Sequence, residues 1–225
     1  MNAFISIKES LSVAVLGLVI VLTQGCATGP NANAADPIEP LNRAVFNFND
    51  GVDRAILRPV ATAYDQVTPS PVKTGVRNFF GNLSDVWSVV NNLLQFKLKE
   101  SLETFMRVSV NSTFGFAGVL DIGTEMRLAK NKQDFGQTLG VWGFDTGPYV
   151  VLPLFGPSSV RDTIGRVVDG SADLVNNSRN VPTRNSLAAI RVVDKRAEVL
   201  GATNILDQAA LDKYSFTRDL YTARV

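Results

Sequence analysis

Apolar residues recur at helical spacing in several separate stretches of the chain. Within residues 41–56 they fall on one stripe of a helix, while Asn, Asp and Arg fill most of the opposite side. Similar patterns predict further amphipathic helices over residues 76–94, 98–106, 160–175, 187–200 and 205–221. Three prolines, Pro59, Pro69 and Pro71, predict an irregular connection between the first two patterns. The fold class is therefore predicted to be mainly α.

The middle of the chain lacks this regular spacing. Residues 114–120 are apolar and interrupted by glycine, residues 121–134 are polar, and residues 135–155 combine glycine with aromatic side chains. Residues 149–155 are compatible with a strand, although Pro153 argues against a central position in a sheet. We expect a glycine- and aromatic-rich central segment between amphipathic helices.

Large aromatic side chains are spread over most of these segments. They are Phe79, Phe80, Trp87, Phe105, Phe114, Phe116, Phe135, Trp142, Phe144 and Phe155. Two interpretations remain open at this point. The aromatics either form an ordinary hydrophobic core, or belong to helices that contact other helices on one side and lipid on the other.

The N-terminal region is typical of a bacterial secretory signal followed by a lipidation site. Lys8 precedes an apolar run, residues 11–22, which is too short to cross a bilayer as a helix. Cys26 is the only cysteine and directly follows the small residue Gly25. We expect cleavage before Cys26 and acylation of its thiol and its new amine. The alternative is an ordinary signal peptide followed by an incidental cysteine.

These features divide the chain into three parts. Residues 1–25 are predicted to be a lipoprotein signal peptide, and residues 26–35 a lipidated tether of small, polar, uncharged residues. Residues 36–225 are predicted to form one helical domain. Three acyl chains on the cysteine would hold this domain at a bilayer surface, because even one chain gives measurable membrane affinity.

Composition excludes several classes of function. The chain has 22 basic and 21 acidic side chains and no K/R-rich run, so we expect no nucleic-acid partner. It contains no histidine, which removes the commonest general base and the commonest metal ligand. With Cys26 acylated there is no free thiolate. We therefore expect no catalytic residues, no metal and no cofactor.

Three features that could suggest an enzyme have simpler interpretations. The carboxylate pairs Asp36/Glu39 and Glu100/Glu103 fit helix starts and solvated helix faces better than an acid–base site. Ser158 lies in GPSS, which matches no nucleophile motif, and is predicted to cap the helix that follows.

Two blocks of the chain carry long motifs in a defined order. The first block contains DPIEPLNR at 36–43, FNFN at 46–49 and RPVA at 58–61. The second block contains DFGQTLG at 134–140, GPYVVLPL at 147–154 and GPSSVRD at 156–162. This arrangement resembles the MlaA (VacJ) lipoproteins, and the similarity extends over nearly the whole chain after the tether.

The resemblance implies a ring-like, multi-helix MlaA-type fold in the inner leaflet of a Gram-negative outer membrane, lipid-anchored on the periplasmic side. It implies an amphipathic channel that removes mislocalised phospholipids from the outer leaflet and so maintains lipid asymmetry. The implied partners are phospholipids, a trimeric outer-membrane porin and a periplasmic MlaC-like lipid carrier. Such transport needs no bond chemistry. The alternatives are a structural or scaffolding envelope lipoprotein that carries no lipid, and a carboxylate-dependent envelope hydrolase.

Residues for this activity are assigned on the same basis. Cys26 is the lipidation site, and Phe46, Asn47 and Phe48 are candidates for sensing the leaflet or for the channel entry. Further candidates for lining the lipid path are Phe114, Phe116, Phe135 and Trp142. The polar segment 121–136 is the candidate moving element, because glycine-aromatic segments flank it.

Overall fold

The computed structural model describes residues 33–224, so Cys26 and the signal peptide lie outside the described residues. The helices are α1 (Glu39–Val52), α2 (Arg58–Val67), α3 (Ser70–Leu94), α4 (Leu98–Thr113), α5 (Ile122–Glu125), α6 (Phe135–Val141), α7 (Val160–Ala172), α8 (Val181–Glu198), α9 (Leu200–Ala209) and α10 (Lys213–Arg224). The strands are β1 (Tyr149–Leu152) and β2 (Gly156–Ser159). A π-helical turn, Asp53–Leu57, joins α1 to α2.

Contacts divide the described chain into two compact units. The first unit comprises residues 33–49, Gly147–Ser159 and residues 214–224. The second comprises Asp50–Thr146 and Val160–Lys213 and contains most of the helices.

The first unit is built around an antiparallel hairpin of β1 and β2. Tyr149 pairs with Ser159 at one end of the register, and Leu152 pairs with Gly156 next to the turn. Tyr149, Val151 and Tyr214 form its buried apolar cluster. Pro153 lies in the turn, so neither strand loses a ladder hydrogen bond to it.

A buried polar group ties α1 to this hairpin. The Asn42 side chain donates to Asp36 Oδ1 at 2.7 Å and to the Tyr149 carbonyl at 3.0 Å, and it accepts from the Val151 N–H at 2.8 Å. Asp36 is fully buried and also accepts a hydrogen bond from the Tyr214 hydroxyl. Asp36 is predicted to lie at a solvated helix start, but it instead connects Asn42 of α1 with Tyr214 inside the first unit.

The second unit is an assembly of packed helix pairs. The most extensive contacts join α3 to α4, α6 to α7, and α2 to α8. The α6/α7 pair is especially close, because a Cβ on Gly165 would lie 2.5 Å from the Gly136 backbone nitrogen. Only glycine at this position allows the two helix backbones to approach so closely.

Two predictions about local structure are wrong. The three prolines do not bracket an irregular connection, because helix α2 lies between them. Pro59 and Pro71 occupy the first turns of α2 and α3. Backbone N–H groups in a first turn have no acceptor within the helix, so the N–H that proline lacks costs no helical hydrogen bond. Ser158 is not a helix cap; it is fully buried in β2, and α7 begins at Val160.

Candidate functional site

The buried face of the long helix α3 is polar. Its buried residues are Gly75, Asn82, Asp85, Ser88, Asn91 and Asn92, at mostly helical spacing, and Gln95 follows at the C-cap. The buried residues of α4 are Ser101, Thr104, Arg107 and Asn111. Polar residues of these types are usually exposed in water-soluble domains. In α3 and α4, by contrast, the polar side of the helix faces the protein interior.

Arg107 is the largest of these buried side chains, with 1% of its surface exposed. It donates to the Leu128 carbonyl at 2.7 Å and to both carboxylate oxygens of Asp121, at 2.7 and 3.0 Å. Partial burial favours a higher pKa for Asp121, but hydrogen bonds from Thr124 and Asn111 and the Arg107 charge outweigh it, so the pKa is lowered. The pair fixes α5 and the residues after it against α4.

A second polar group links α3 to α6. The Thr138 hydroxyl donates to Asn91 Oδ1 at 2.7 Å and accepts from Gln95 Nε2 at 3.0 Å. Gln95 Nε2 also lies 3.1 Å from Gln133 Oε1. All of these groups are buried or half-buried, and their hydrogen bonds connect α3 to α6 and to the residues before it, although Gln95 Oε1 has no partner among the described residues.

Most large apolar side chains of the second unit lie on its surface. They include Leu93, Phe96, Leu98, Leu102, Phe105, Phe114, Phe116, Trp142 and Phe144. Phe116, for example, is 76% exposed. This distribution argues against an ordinary aromatic core and favours helices whose apolar faces contact lipid or another protein.

Within residues 33–224, none of the helices combines the length and the apolar character that crossing a bilayer requires. The same described range contains no group of three or more acidic, histidine or cysteine side chains arranged to hold a metal ion.

An apolar cavity of about 470 Å³ lies between the N-terminal half of α3 and the middle of α8. Its walls are formed by Pro71, Val72, Gly75, Val76, Phe79, Phe80, Val119, Leu187 and Ile190. Its volume falls in the range of about 300–1,000 Å³ that is typical of ligand sites. The second unit therefore provides both a polar buried face and an entirely apolar cavity.

The predicted site residues are divided between the two units. In the first unit, Phe46 packs edge-on against Tyr214, with ring centroids 5.6 Å apart. Asn47 is exposed, and Phe48 is 55% exposed. Phe46 thus supports the unit's core, whereas its two neighbours present side chains to the surroundings.

The second unit holds the other four candidates. Phe114 and Phe116 are exposed at the end of α4 and in the turn after it. Phe135 and Trp142 lie at opposite ends of α6 and pack edge-on, with centroids 5.9 Å apart. The Trp142 indole donates to the Leu94 carbonyl at 3.0 Å, which leaves its ring half on the surface.

The proposed moving element, 121–136, makes many contacts with α3 and α4. Asn131 donates to Glu103 at 3.0 Å, and its carbonyl accepts from Asn92 at 3.0 Å. The Gln133 backbone exchanges two hydrogen bonds with the Ser88 hydroxyl. Movement of this segment would require these bonds to break, and its movement stays a prediction.

Comparison with known proteins connects this geometry to a family. The sequence model of the MlaA lipoproteins matches residues 34–225, which is nearly the whole described range. The chain belongs to the MlaA lipoprotein family. An intermembrane phospholipid transport system lipoprotein MlaA from Escherichia coli (strain K12) is 32% identical over 223 residues, covering 96% of this chain and 87% of that protein.

Further MlaA relatives agree with this assignment. The MlaA lipoprotein of Haemophilus influenzae is 32% identical over 212 residues, covering 90% of this chain and 83% of its own length. A solved structure, described as the structural basis for maintenance of bacterial outer membrane lipid asymmetry, matches with a TM-score of 0.73 at 32% identity. The match covers 84% of this chain and 96% of that one. The predicted mainly α, MlaA-type fold is therefore confirmed.

Sequence reasoning missed the buried polar face. Its signal is visible in the sequence as Asn, Ser and Gln at helical spacing along α3, opposite the apolar stripe used to predict that helix. The pairing of Arg107 with Asp121 is also local, because the two positions are fourteen apart in the sequence. Both features could have been proposed if the polar stripe had been considered as a possible inner face.

Proposed function

We propose that this chain is an outer-membrane lipoprotein that removes mislocalised phospholipids from the outer leaflet and so maintains lipid asymmetry. The observation that carries the proposal is the inverted packing of α3 and α4, which bury polar side chains and expose apolar ones. A protein that passes lipids needs a polar path for headgroups and an apolar environment for acyl chains. The family relatives named as phospholipid transport lipoproteins support the same function.

Transport of this kind needs a location and partners as well as a path. The acyl chains expected on Cys26 would hold the protein in the inner leaflet on the periplasmic side, and the exposed aromatics would add contacts with lipid. A trimeric outer-membrane porin would supply a neighbour in the bilayer, and a periplasmic MlaC-like carrier would receive the lipid. The process breaks no covalent bond, so the protein needs no catalytic group.

The apolar cavity supports a role for the second unit in holding acyl chains. Burial of a methylene group contributes about 0.8 kcal/mol, so a lined cavity can hold a single chain without any polar contact. Phe114 and Phe116, exposed near the end of α4, would extend the apolar surface available to lipid. Phe48 and Asn47 of the first unit are also exposed, and we assign them to lipid contact for the same reason.

The decisive test measures outer-leaflet phospholipid in a strain that lacks the protein. A membrane-impermeant amine reagent labels surface-exposed aminophospholipid, and deletion is expected to raise the labelled fraction. Expression of the full chain should restore the original level, and Cys26→Ala should restore it less well. An unchanged labelled fraction on deletion overturns the transport proposal.

Two further measurements separate the alternatives. Native mass spectrometry of detergent-purified protein should detect both phospholipid and porin, whereas porin without phospholipid would favour a scaffold. Phe114→Ser combined with Phe116→Ser should impair restoration of the labelled fraction. Leu211→Ser is the matched control, because Leu211 is fully exposed but belongs to the loop before α10 and not to the segment after α4.

A further inference from the structure

The apolar cavity between α3 and α8 has walls that hold one another in place. Asn78 donates to the Val119 carbonyl at 3.1 Å, which ties the residues after α4 to α3. A Cβ on Gly75 would lie 2.9 Å from Val119 Cγ1, so the glycine allows Val119 to approach the helix closely. Phe79 and Phe80, which line the same cavity, pack edge-on with ring centroids 5.3 Å apart. The cavity is therefore a built feature of the second unit.

The cavity is also accessible from outside. Val72 of α3 and Ile190 of α8 line it, and 53% and 44% of their surfaces are exposed. A ligand can therefore reach the cavity without separation of the two helices. Contact of such apolar walls with water is unfavourable, so a ligand that covers them gains the corresponding free energy.

The chemistry of the walls selects the kind of ligand. All nine residues that line the cavity are apolar. A peptide segment inserted there would bury backbone N–H and C=O groups that find no partner in the walls, and each such group costs free energy. A hydrocarbon chain carries no polar group of this kind. An acyl chain is therefore favoured over a segment of a partner protein.

The volume of the cavity sets the size of the ligand. An engineered apolar cavity of about 150 Å³ holds one benzene molecule, which corresponds to about 25 Å³ for each carbon atom. At this ratio, the cavity of about 470 Å³ takes about 19 carbon atoms. This is about one long acyl chain, so the second chain of a phospholipid would stay outside the cavity.

A guanidinium lies beside the apolar wall in a fixed orientation. The Arg191 guanidinium carbon is 5.9 Å from the centre of the Phe80 ring. Its Nη1 donates to Asp173 Oδ2 at 2.5 Å. Asp173 is held in turn, because its Oδ1 accepts from the backbone N–H groups of Val175 and Asn176 at 2.9 and 3.0 Å. Asp173 therefore positions Arg191 next to the cavity.

This arrangement leaves one edge of the Arg191 guanidinium available. Among residues 33–224, Nε and Nη2 of Arg191 have no hydrogen-bond acceptor, and the side chain is 32% exposed. The two nitrogens form a fork of N–H donors that matches two oxygens of one phosphate. Since Asp173 uses Nη1 and is also stabilised by two backbone N–H groups, the fork remains free for a second anion.

We propose that the cavity and Arg191 form one phospholipid-binding site, in which a single acyl chain fills the cavity and the phosphate accepts hydrogen bonds from Nε and Nη2 of Arg191. This inference rests on the proposed function, because transport supplies the phospholipid. Only the chain and the phosphate are recognised, so the site takes phospholipids with different headgroups. A long-chain fatty acid shares this chemistry, and the experiment below separates the two sources.

The test measures lipid binding to the purified full chain in detergent micelles. The two probes are phosphatidylglycerol and a diacylglycerol with identical acyl chains, which lacks the phosphate. Ile190→Trp should weaken the binding of both lipids about tenfold, because the larger side chain takes volume from the acyl chain. Arg191→Gln should weaken phosphatidylglycerol about tenfold and leave diacylglycerol unchanged, because charge-assisted hydrogen bonds are about twice as strong as neutral ones. Arg191→Lys should recover only part of the loss, since lysine keeps the charge without the fork.

Each variant has a matched control on α8. Val192→Trp introduces the same bulk at an exposed position outside the lining of the cavity, and Arg184→Gln removes the same charge seven positions before Arg191. Both controls should bind both lipids like the original protein. Circular dichroism verifies that the variants are folded. The proposal is overturned if folded Ile190→Trp binds either lipid with unchanged affinity, or if Arg191→Gln does not distinguish the two lipids.

A long-chain fatty acid serves as the third probe and decides the source of the ligand. Fatty acid binding that is tighter than that of phosphatidylglycerol, with the same dependence on Ile190 and Arg191, would assign the site to free fatty acids and overturn the phospholipid role. Weaker binding of the fatty acid supports the phospholipid.

The site and the transport function fail in different ways. If the variants reduce lipid binding as expected but deletion of the protein leaves outer-leaflet phospholipid unchanged, the transport function fails and the site stands. If deletion raises the labelled fraction, while Ile190→Trp and Arg191→Gln bind both lipids and restore the level like the original protein, the site fails and the transport function stands.

Discussion

Replacement of Arg107 by methionine is expected to destabilise the second unit strongly. Arg107→Met conserves the length of the side chain but removes its donors to the Leu128 carbonyl and to Asp121. Breaking a fully buried ion pair costs about 3–5 kcal/mol, because the remaining charge stays unpaired in a poor environment. Asp121 is 23% exposed at its side chain and keeps hydrogen bonds from Thr124 and Asn111, which reduces the cost. We therefore expect a loss of about 2–4 kcal/mol.

The measurement is urea unfolding in detergent, followed by circular dichroism, at pH 7. Arg127→Met is the matched control, because Arg127 lies in the same region but is exposed and makes no side-chain hydrogen bond with any residue of the described range 33–224. It should change the free energy of unfolding by less than about 0.5 kcal/mol. If Arg107→Met stays within the same limit, the buried pair does not stabilise the fold and the reasoning fails.

The pH dependence gives a second test of the same pair. The pKa of Asp121 is lowered in the folded state, so its stabilising contribution is fully present above the ordinary carboxyl pKa of about 4. The contribution is lost as the pH falls through the lowered folded value, where the carboxylate takes up a proton. The stability difference between the original protein and Arg107→Met should therefore shrink below about pH 4. A difference that stays constant down to pH 2 would contradict this origin.

Three further substitutions test packing and capping by the same unfolding measurement. Gly165→Ala should lower the free energy of unfolding by about 2 kcal/mol, because its Cβ would lie 2.5 Å from a backbone nitrogen of α6. Gly170→Ala, in open space on the same helix, should raise the free energy of unfolding by about 0.5 kcal/mol. Equal effects would exclude close helix packing. Asn42→Ala should lower the free energy of unfolding by about 2–4 kcal/mol, because buried hydrogen bonds are lost. The control Asn47→Ala, at an exposed position, should leave stability unchanged. Similar losses in both variants would contradict a stabilising role for the buried hydrogen bonds of Asn42. Asp134→Ala should cost about 1 kcal/mol by removing the α6 cap, and no loss would reject that cap.

The helices were predictable because each has a one-sided pattern. The sequence predicted helices over 76–94 and 98–106, and both lie within α3 and α4. The pattern at 205–221 predicts one segment, but the structure divides it into α9 and α10. Spacing specifies the orientation of side chains about a helix axis, whereas helix ends depend on local capping and tertiary contacts.

Which face of each helix points into the protein could not be predicted from the sequence. A one-sided pattern is compatible with a polar face toward water or toward the protein interior, because periodicity is the same in both cases. Contacts between distant positions were also inaccessible. Arg196, for example, forms an ion pair with Asp53 across 143 residues of sequence, and nothing near either residue indicates the other.

The inverted packing has a consequence for how the fold is stabilised. Few large apolar side chains are buried in the described chain, whereas Arg107, Asn91, Asn92 and Thr138 are almost entirely buried. The interior of the second unit therefore depends on hydrogen bonds between buried polar groups, which contribute only about 1 kcal/mol each when water is the alternative partner. Exposed aromatic side chains such as Phe116 would be unfavourable in water if they formed a contiguous surface. An apolar environment would stabilise this outer surface. It would also keep water from competing for the hydrogen bonds of the buried polar groups. Under the proposed function, the exposed apolar faces of these helices contact lipid, and their buried polar face is the side that suits a phospholipid headgroup.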